Sequence, residues 1–172
     1  MALREILIYP DKRLRQVSEA VTEFGEDLET LVRDMADTMY DAPGIGLAAV
    51  QIDVAKRVVI MDLSEARDQL QVFINPELTD LDQGLVEMEE GCLSVPGIYA
   101  TVERAESVKI NAMDLKGTPF EIEADEMLSV CIQHEVDHLN GKVFVDYLSR
   151  LKQVRVKKKL KKDSLPEEIR AA

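Results

Sequence analysis

His134-Glu135-Val136-Asp137-His138 contains both histidines of this 172-residue chain. Residues four apart on a helix share a face, so two imidazoles at this spacing sit about 6 Å apart along the axis and can bind one metal ion. Glu135 then stands beside the metal as a proton carrier, which is the chemistry of the H-E-x-x-H pattern. The flanking residues predict the helix. Met127, Leu128, Val130, Cys131, His134 and His138 recur at spacings of three and four, and 124–139 contains neither Gly nor Pro. Glu123, Asp125 and Glu126 crowd its start, where acidic groups favour the helix dipole, and Asn140-Gly141 supplies a stop. Unpaired imidazoles on an inward apolar face would be costly, and ligation removes that cost.

Two histidines leave a hydrolytic site incomplete, because such sites take three protein ligands and keep one position for water. Metzincin-type proteases place a third histidine where this chain has Phe144, beyond a glycine matching Gly141. Thermolysin-like enzymes take a glutamate from a following helix, where this chain has Lys157-Lys158-Lys159; Glu167 and Glu168 come late, after Pro166. A thiolate is the remaining strong candidate. Cys131 lies one turn before His134, about 10 Å along the axis from His138, and reads as a small buried wall residue. Cys92 sits in Glu89-Glu90-Gly91-Cys92-Leu93-Ser94-Val95-Pro96-Gly97, a turn-rich segment able to bring a thiolate up to a helix face. The alternative, a Cys92–Cys131 disulfide, does not suit a chain read as lacking a signal peptide, since cytosolic thiols stay reduced.

Three separated stretches carry a resemblance. Gly44-Ile45-Gly46-Leu47-Ala48-Ala49-Val50-Gln51, Glu90-Gly91-Cys92-Leu93-Ser94 and Gln133-His134-Glu135-Val136-Asp137-His138 stand in the order found in bacterial peptide deformylases. The chain resembles that family from Tyr9-Pro10-Asp11-Lys12-Arg13-Leu14 to about Leu160. The resemblance implies that Cys92, His134 and His138 hold the metal and that Glu135 is the general acid/base. It implies an oxyanion hole made by Gln51 and the Leu93 backbone N–H, with Gly46 binding substrate backbone. The implied reaction is attack of a metal-bound water on the formyl carbonyl of N-formylmethionine at the start of nascent polypeptides, releasing formate. Fe2+ is the implied ion in the cell, with Zn2+, Ni2+ or Co2+ able to occupy a purified sample. The ligand types alone suit zinc at least as well. Ile45, Met88, Met127, Val130 and Cys131 would line the methionine pocket, with the Glu90 and His134 backbones nearby. Tyr99 stands where some bacterial members carry an arginine at the substrate rim, and Val50 replaces a threonine common in the first stretch.

Independently of the family, the residues support hydrolysis. A metal lowers the pKa of bound water towards ~7. Glu135, next to a ligand, can take the water proton and return it to the leaving amine. An amide donor such as Gln51 stabilises an oxyanion by roughly 3–4 kcal/mol in comparable sites; its alternative role is to cap a loop.

The elements that must position these groups are also legible. Leu28, Leu31, Val32, Met35 and Met39 form a helical stripe between Asp27 and Tyr40, ended by Asp41-Ala42-Pro43-Gly44. Residues 57–63, 70–74, 107–113 and 118–123 read as strands, with Lys116-Gly117 as a turn. Strands gathered between two helices argue for α+β, and the family implies antiparallel strands around a central metal-binding helix. Residues 1–172 read as one metallohydrolase domain that includes a basic C-terminal helix at about 147–162. The chain carries −12, but residues 150–172 hold nine Lys/Arg against three Asp/Glu, so the tail is +6 and the rest −18. Leu148, Leu151 and Val154 read as the apolar side of that helix. An acidic body repels nucleic acid, so the basic helix is the surface suited to ribosomal RNA, or else it neutralises the body. No DNA partner is expected of so acidic a body, and no membrane partner, because no apolar run approaches the ~18 residues of a span. The expected location is the cytoplasm.

Overall fold

Val58-Val59-Ile60-Met61 is buried at every position, because both faces of this strand are covered. The computed structural model describes residues 2–166. Helix α1 (Glu26–Asp41) buries Leu28, Leu31, Val32, Met35 and Met39 in a cluster with Val58, Ile60, Leu47 and Ile74. On the opposite face, Val59, Met61 and Phe73 pack with Ile132, Val136 and Leu139 of helix α2 (Glu126–Leu139). The sheet between them is antiparallel and runs in the order β1 (Gly46–Ala48), β2 (Val58–Met61), β3 (Gln71–Asp80), β6 (Ser107–Met113), β7 (Pro119–Asp125). Strand β6 alternates as a strand with one buried face should, turning Val108, Ile110 and Ala112 inward.

A second, two-stranded sheet pairs β4 (Leu85–Cys92) with β5 (Val95–Ala105). No strand is expected here from the sequence, and the turn-rich stretch from Glu89 to Gly97 is the tip of a long hairpin with Cys92 paired to Val95. Strand β3 also runs past residue 74 to Asp80, because a bulge between Ile74 and Glu77 absorbs Asn75-Pro76. Asn75 takes a left-handed φ of 52° there, and its amide exchanges hydrogen bonds of 2.8 and 2.9 Å with the Val21 backbone. The helix that carries both histidines starts at Glu126 rather than 124, leaving Glu123 and Asp125 in β7.

The C-terminal helix α3 (Arg150–Asp163) follows a short 3₁₀ turn, Phe144–Tyr147. Its expected apolar side is wrong. Leu151 and Val154 are 60% and 48% exposed, and Val156 and Leu160 are buried instead. Those two join Leu7, Tyr9, Leu14, Val95, Val102 and Phe144 in a third cluster, to which only Leu148 of the expected stripe is added. Among the described residues no helix is long and apolar enough to cross a membrane.

Candidate metal centre

Helix α2 holds the His134 and His138 rings edge to face, with centroids 5.0 Å apart. The end of β4 brings Cys92 to the same place, so that one ligand atom from each of the three lies within 4.8 Å of the others. Cys92 Sγ is 3.4 Å from His138 Nε2. Both imidazoles are buried. A thiolate with two imidazoles suits Zn2+ or Fe2+, and this is the one such cluster found among the described residues. Cys131 is not part of it, and burial pushes its thiol up to about 12, so it stays protonated. Glu167 and Glu168 lie outside the described residues. Phe144, at the position of a third metzincin histidine, stacks against His134 with ring centroids 6.0 Å apart.

The first histidine is anchored from behind. His134 Nδ1 lies 2.9 Å from Glu90 Oε1, a carboxylate–imidazole contact of the kind that fixes the orientation of a ligand and leaves the other nitrogen for the metal. Arg104 grips Glu90 through Nε (2.6 Å) and Nη2 (2.9 Å), and its Nη1 donates to Asp137 Oδ2 at 2.8 Å. Burial alone would raise the Glu90 pKa, but the bonds from Arg104 and His134 outweigh it and hold the carboxyl below its usual range. Burial likewise opposes the charged form of His134, yet Cys92 and Glu90 hold its pKa well above the usual value. For His138, burial and the neighbouring His134 push it well below. His138 Nδ1 is buried without a hydrogen-bond partner.

Glu135 is buried, with Oε1 4.0 Å from His134 Nε2 and Oε2 unpartnered. Burial pushes its pKa up to about 7, the range in which a carboxyl can both take and give a proton at neutral pH. Gly46 makes room for it. A Cβ at Gly46 would lie 2.6 Å from Glu135 Oε1, and one at Gly44 would lie 2.5 Å from a Leu93 methyl. Gln51 is buried, with its carbonyl oxygen and one of its two amide hydrogens firmly bonded. Oε1 accepts from the Ala48 N–H (2.9 Å), while Nε2 donates to Ser94 Oγ (3.0 Å) and reaches Cys92 Sγ at 3.5 Å. The loop-capping role and proximity to the metal cluster therefore coexist.

The residues expected to line the methionine pocket sit on three elements. Met127, Val130 and Cys131 are on α2, with Val130 buried and Met127 46% exposed. Met88 is on β4 opposite Val102, and Ile45, 44% exposed, precedes β1. Tyr99 is 68% exposed and lays its ring against Gly91, where a Cβ would come within 2.6 Å of it. Sequence reasoning missed the side-chain roles of Glu90, Arg104, Asp137 and Ser94. One signal was available: Val102 and Arg104 alternate on the buried side of β5, and an arginine at an inward position requires a carboxylate partner.

A sequence profile of the polypeptide deformylase family matches residues 3–154. The chain is 57% identical over 165 residues to peptide deformylase 1 of Ralstonia nicotianae, covering 96% of this chain and 98% of that protein. It is 58% identical over 162 residues to the peptide deformylase of Chromobacterium violaceum, covering 94% and 96%. The crystal structure of a peptide deformylase from Legionella pneumophila superposes with a TM-score of 0.90 at 49% identity, over 96% of this chain and all (100%) of that one. The Ehrlichia chaffeensis enzyme in complex with actinonin gives 0.90 at 38% identity, over 96% and 100%.

Proposed function

The chain belongs to the peptide deformylase family, metal-dependent hydrolases that remove the N-formyl group from nascent peptides, and from that premise we propose that Cys92, His134 and His138 hold one divalent ion and Glu135 moves the proton. The observation that carries this reading is a thiol and two imidazoles within 4.8 Å of one another, beside a buried carboxyl at about 7. An ion held there supplies Lewis acidity to water and to a carbonyl. Glu135 takes a proton from the attacking water and passes it to the leaving amine, so that a neutral amino group departs and the formic acid formed loses its own proton to solvent as formate. The Gln51 NH2 group carries two hydrogens. One stays with Ser94 Oγ, and the other, committed only to a long contact with Cys92 Sγ, turns to the formyl oxygen together with the Leu93 backbone N–H. Gly46 lets substrate backbone approach, and Ile45, Met88, Met127, Val130 and Cys131 receive the methionine side chain, with Glu90 and His134 nearby.

Fe2+ is the ion proposed for the cell, on the strength of the family; the donor set itself accepts zinc, nickel or cobalt. The proposed location is the cytoplasm, at the ribosome, where formylmethionyl chains emerge and where the basic face of α3 meets phosphate. The direct test is formate release from a formyl-methionyl peptide, run with and without chelator. Activity that chelation abolishes and added metal restores supports the reading. Chelator-insensitive formate release would overturn the metal assignment.

A further inference from the structure

The hydrogen bonds behind His134 do not stop at Asp137. Tyr147 Oη donates to the same Asp137 Oδ2 at 2.7 Å, and the Arg104 guanidinium lies over the Tyr147 ring, 4.9 Å from its centroid. An unbroken chain thus runs from Tyr147 through Asp137 and Arg104 to Glu90 and His134 Nδ1. The inner members are sealed, with Arg104 5% and Glu90 6% exposed, whereas Tyr147 is 49% exposed. At this outer end the surface dips into a cavity of about 240 Å³ that Tyr147, Asp137 and Arg104 line beside Leu78 and Val108. Tyr147 is also the last residue of the 3₁₀ turn that leads into α3.

Geometry makes Tyr147 more than a bystander. Glu90 Oε1 is shared between Arg104 Nη2 and His134 Nδ1, so a small rotation of the guanidinium moves the carboxylate on which the imidazole rests. Nε and Nη2 fix that guanidinium to Glu90, and its remaining restraints are Asp137 on Nη1 and the Tyr147 ring on its face. Tyr147 supplies one of these restraints directly and braces the other through its hydroxyl. We propose that Tyr147 is a positioning residue for His134, acting through Asp137, Arg104 and Glu90, so that the foot of α3 helps the site retain its metal. This rests on the reading of His134 as a ligand.

The test is Zn2+ release from the loaded, full-length protein into excess chromogenic chelator. Groups that orient a metal ligand typically change affinity or activity 10–100-fold when replaced. Tyr147 acts one step further out, so Tyr147→Ala should speed release about tenfold, the low end of that range. Tyr147→Phe keeps the ring over Arg104 and loses only the bond to Asp137; it should fall between Tyr147→Ala and wild type. The thermal midpoints of the metal-free proteins should stay close to wild type. Val32→Ala is the control, since it loosens the α1 cluster, which contains neither a proposed ligand nor a member of this hydrogen-bonded chain, and it should release zinc at the wild-type rate. Wild-type release rates in both Tyr147 variants, or equal acceleration by Val32→Ala, would overturn the proposal. If Tyr147→Ala does not fold, Tyr147→Phe decides alone: faster release supports the proposal and an unchanged rate defeats it. Failure of the wild-type protein to hold zinc at all would instead overturn the ligand reading.

Discussion

A carboxyl buried with an unpartnered oxygen is an expensive arrangement, and Glu135 has that arrangement beside the metal cluster. The role proposed for it, carrying a proton, accounts for the burial. Glu135→Ala should keep zinc bound while formate release falls about 10²–10⁴-fold; near-normal turnover would remove Glu135 from the mechanism. Gly46→Ala tests the same group sterically. The new methyl would lie 2.6 Å from Glu135 Oε1, so the glutamate must swing away, and kcat should fall while the unfolding midpoint changes little. The two cysteines should separate cleanly. Cys92→Ala should lose metal under mild chelation and Cys131→Ala should keep it, and the reverse pattern would move the third ligand to Cys131. At this scale the sequence was most informative where a group's chemistry depends on its own helix. His134, Glu135 and His138 were legible from spacing, and Cys92 from elimination and resemblance. The anchor of His134 was not, because Arg104 comes from β5 and pairs across to β4 and α2, contacts that no local spacing encodes.

Among the elements, helix α1 and strand β6 were legible because one continuous periodicity runs through each. Strand β3 was cut short at Asn75-Pro76 because a proline ends most strands, and the bulge that accommodates it is a tertiary solution tied to Val21. The hairpin of β4 and β5 is masked in the sequence by Gly91, Pro96 and Gly97, which mark turns and shape the tip that carries Cys92. The segment after β2 makes a testable element. Asp62 accepts from Ser64 and Gln69 N–H groups at 2.9 and 3.1 Å and from the Tyr40 hydroxyl at 2.6 Å. The neighbouring Arg67 lies over the Tyr40 ring and donates to the Gly44 carbonyl. Hydrogen bonds, those of the Ser64 side chain first, hold the Asp62 pKa at about 2. An unfolded aspartate titrates near ~3.9, so the folded value is depressed. The stabilisation is therefore complete above about pH 4 and is lost as pH falls from there towards 2. Denaturant midpoints measured across that window should drop in wild type and drop less in Asp62→Asn; equal acid slopes would exclude this group.

At the scale of the whole molecule, the charge split governs how the protein meets a large anion. The body at −18 is repelled by RNA, and α3 brings the compensating cations. The buried positions of α3 decide how this can be tested. Removing the helix from residue 152 would strip Val156 and Leu160 from the third cluster, and loss of a buried leucine side chain alone costs about 2–5 kcal/mol. A truncated protein would therefore confuse misfolding with lost binding. The sequence-based choice of Leu151 and Val154 as the packed side failed because a short lysine-rich helix offers two apolar pairs, and only docking against Leu7, Tyr9 and Val95 selects Val156 and Leu160. By helical spacing, Arg155, Lys158 and Lys162 share the face opposite that pair, and all three are exposed. Lys157 and Lys159 are poor choices, because one lies over the Tyr9 ring and the other reaches the Gly97 carbonyl. Replacing Arg155, Lys158 and Lys162 together by Gln should leave hydrolysis of short formyl peptides unchanged. Ribosome co-sedimentation should weaken, and each lost phosphate contact should reduce the slope of log K against log salt by about 0.7–0.9. Binding that is equal in the triple variant and wild type, and insensitive to salt in both, would mean that these cations serve only to balance the acidic body.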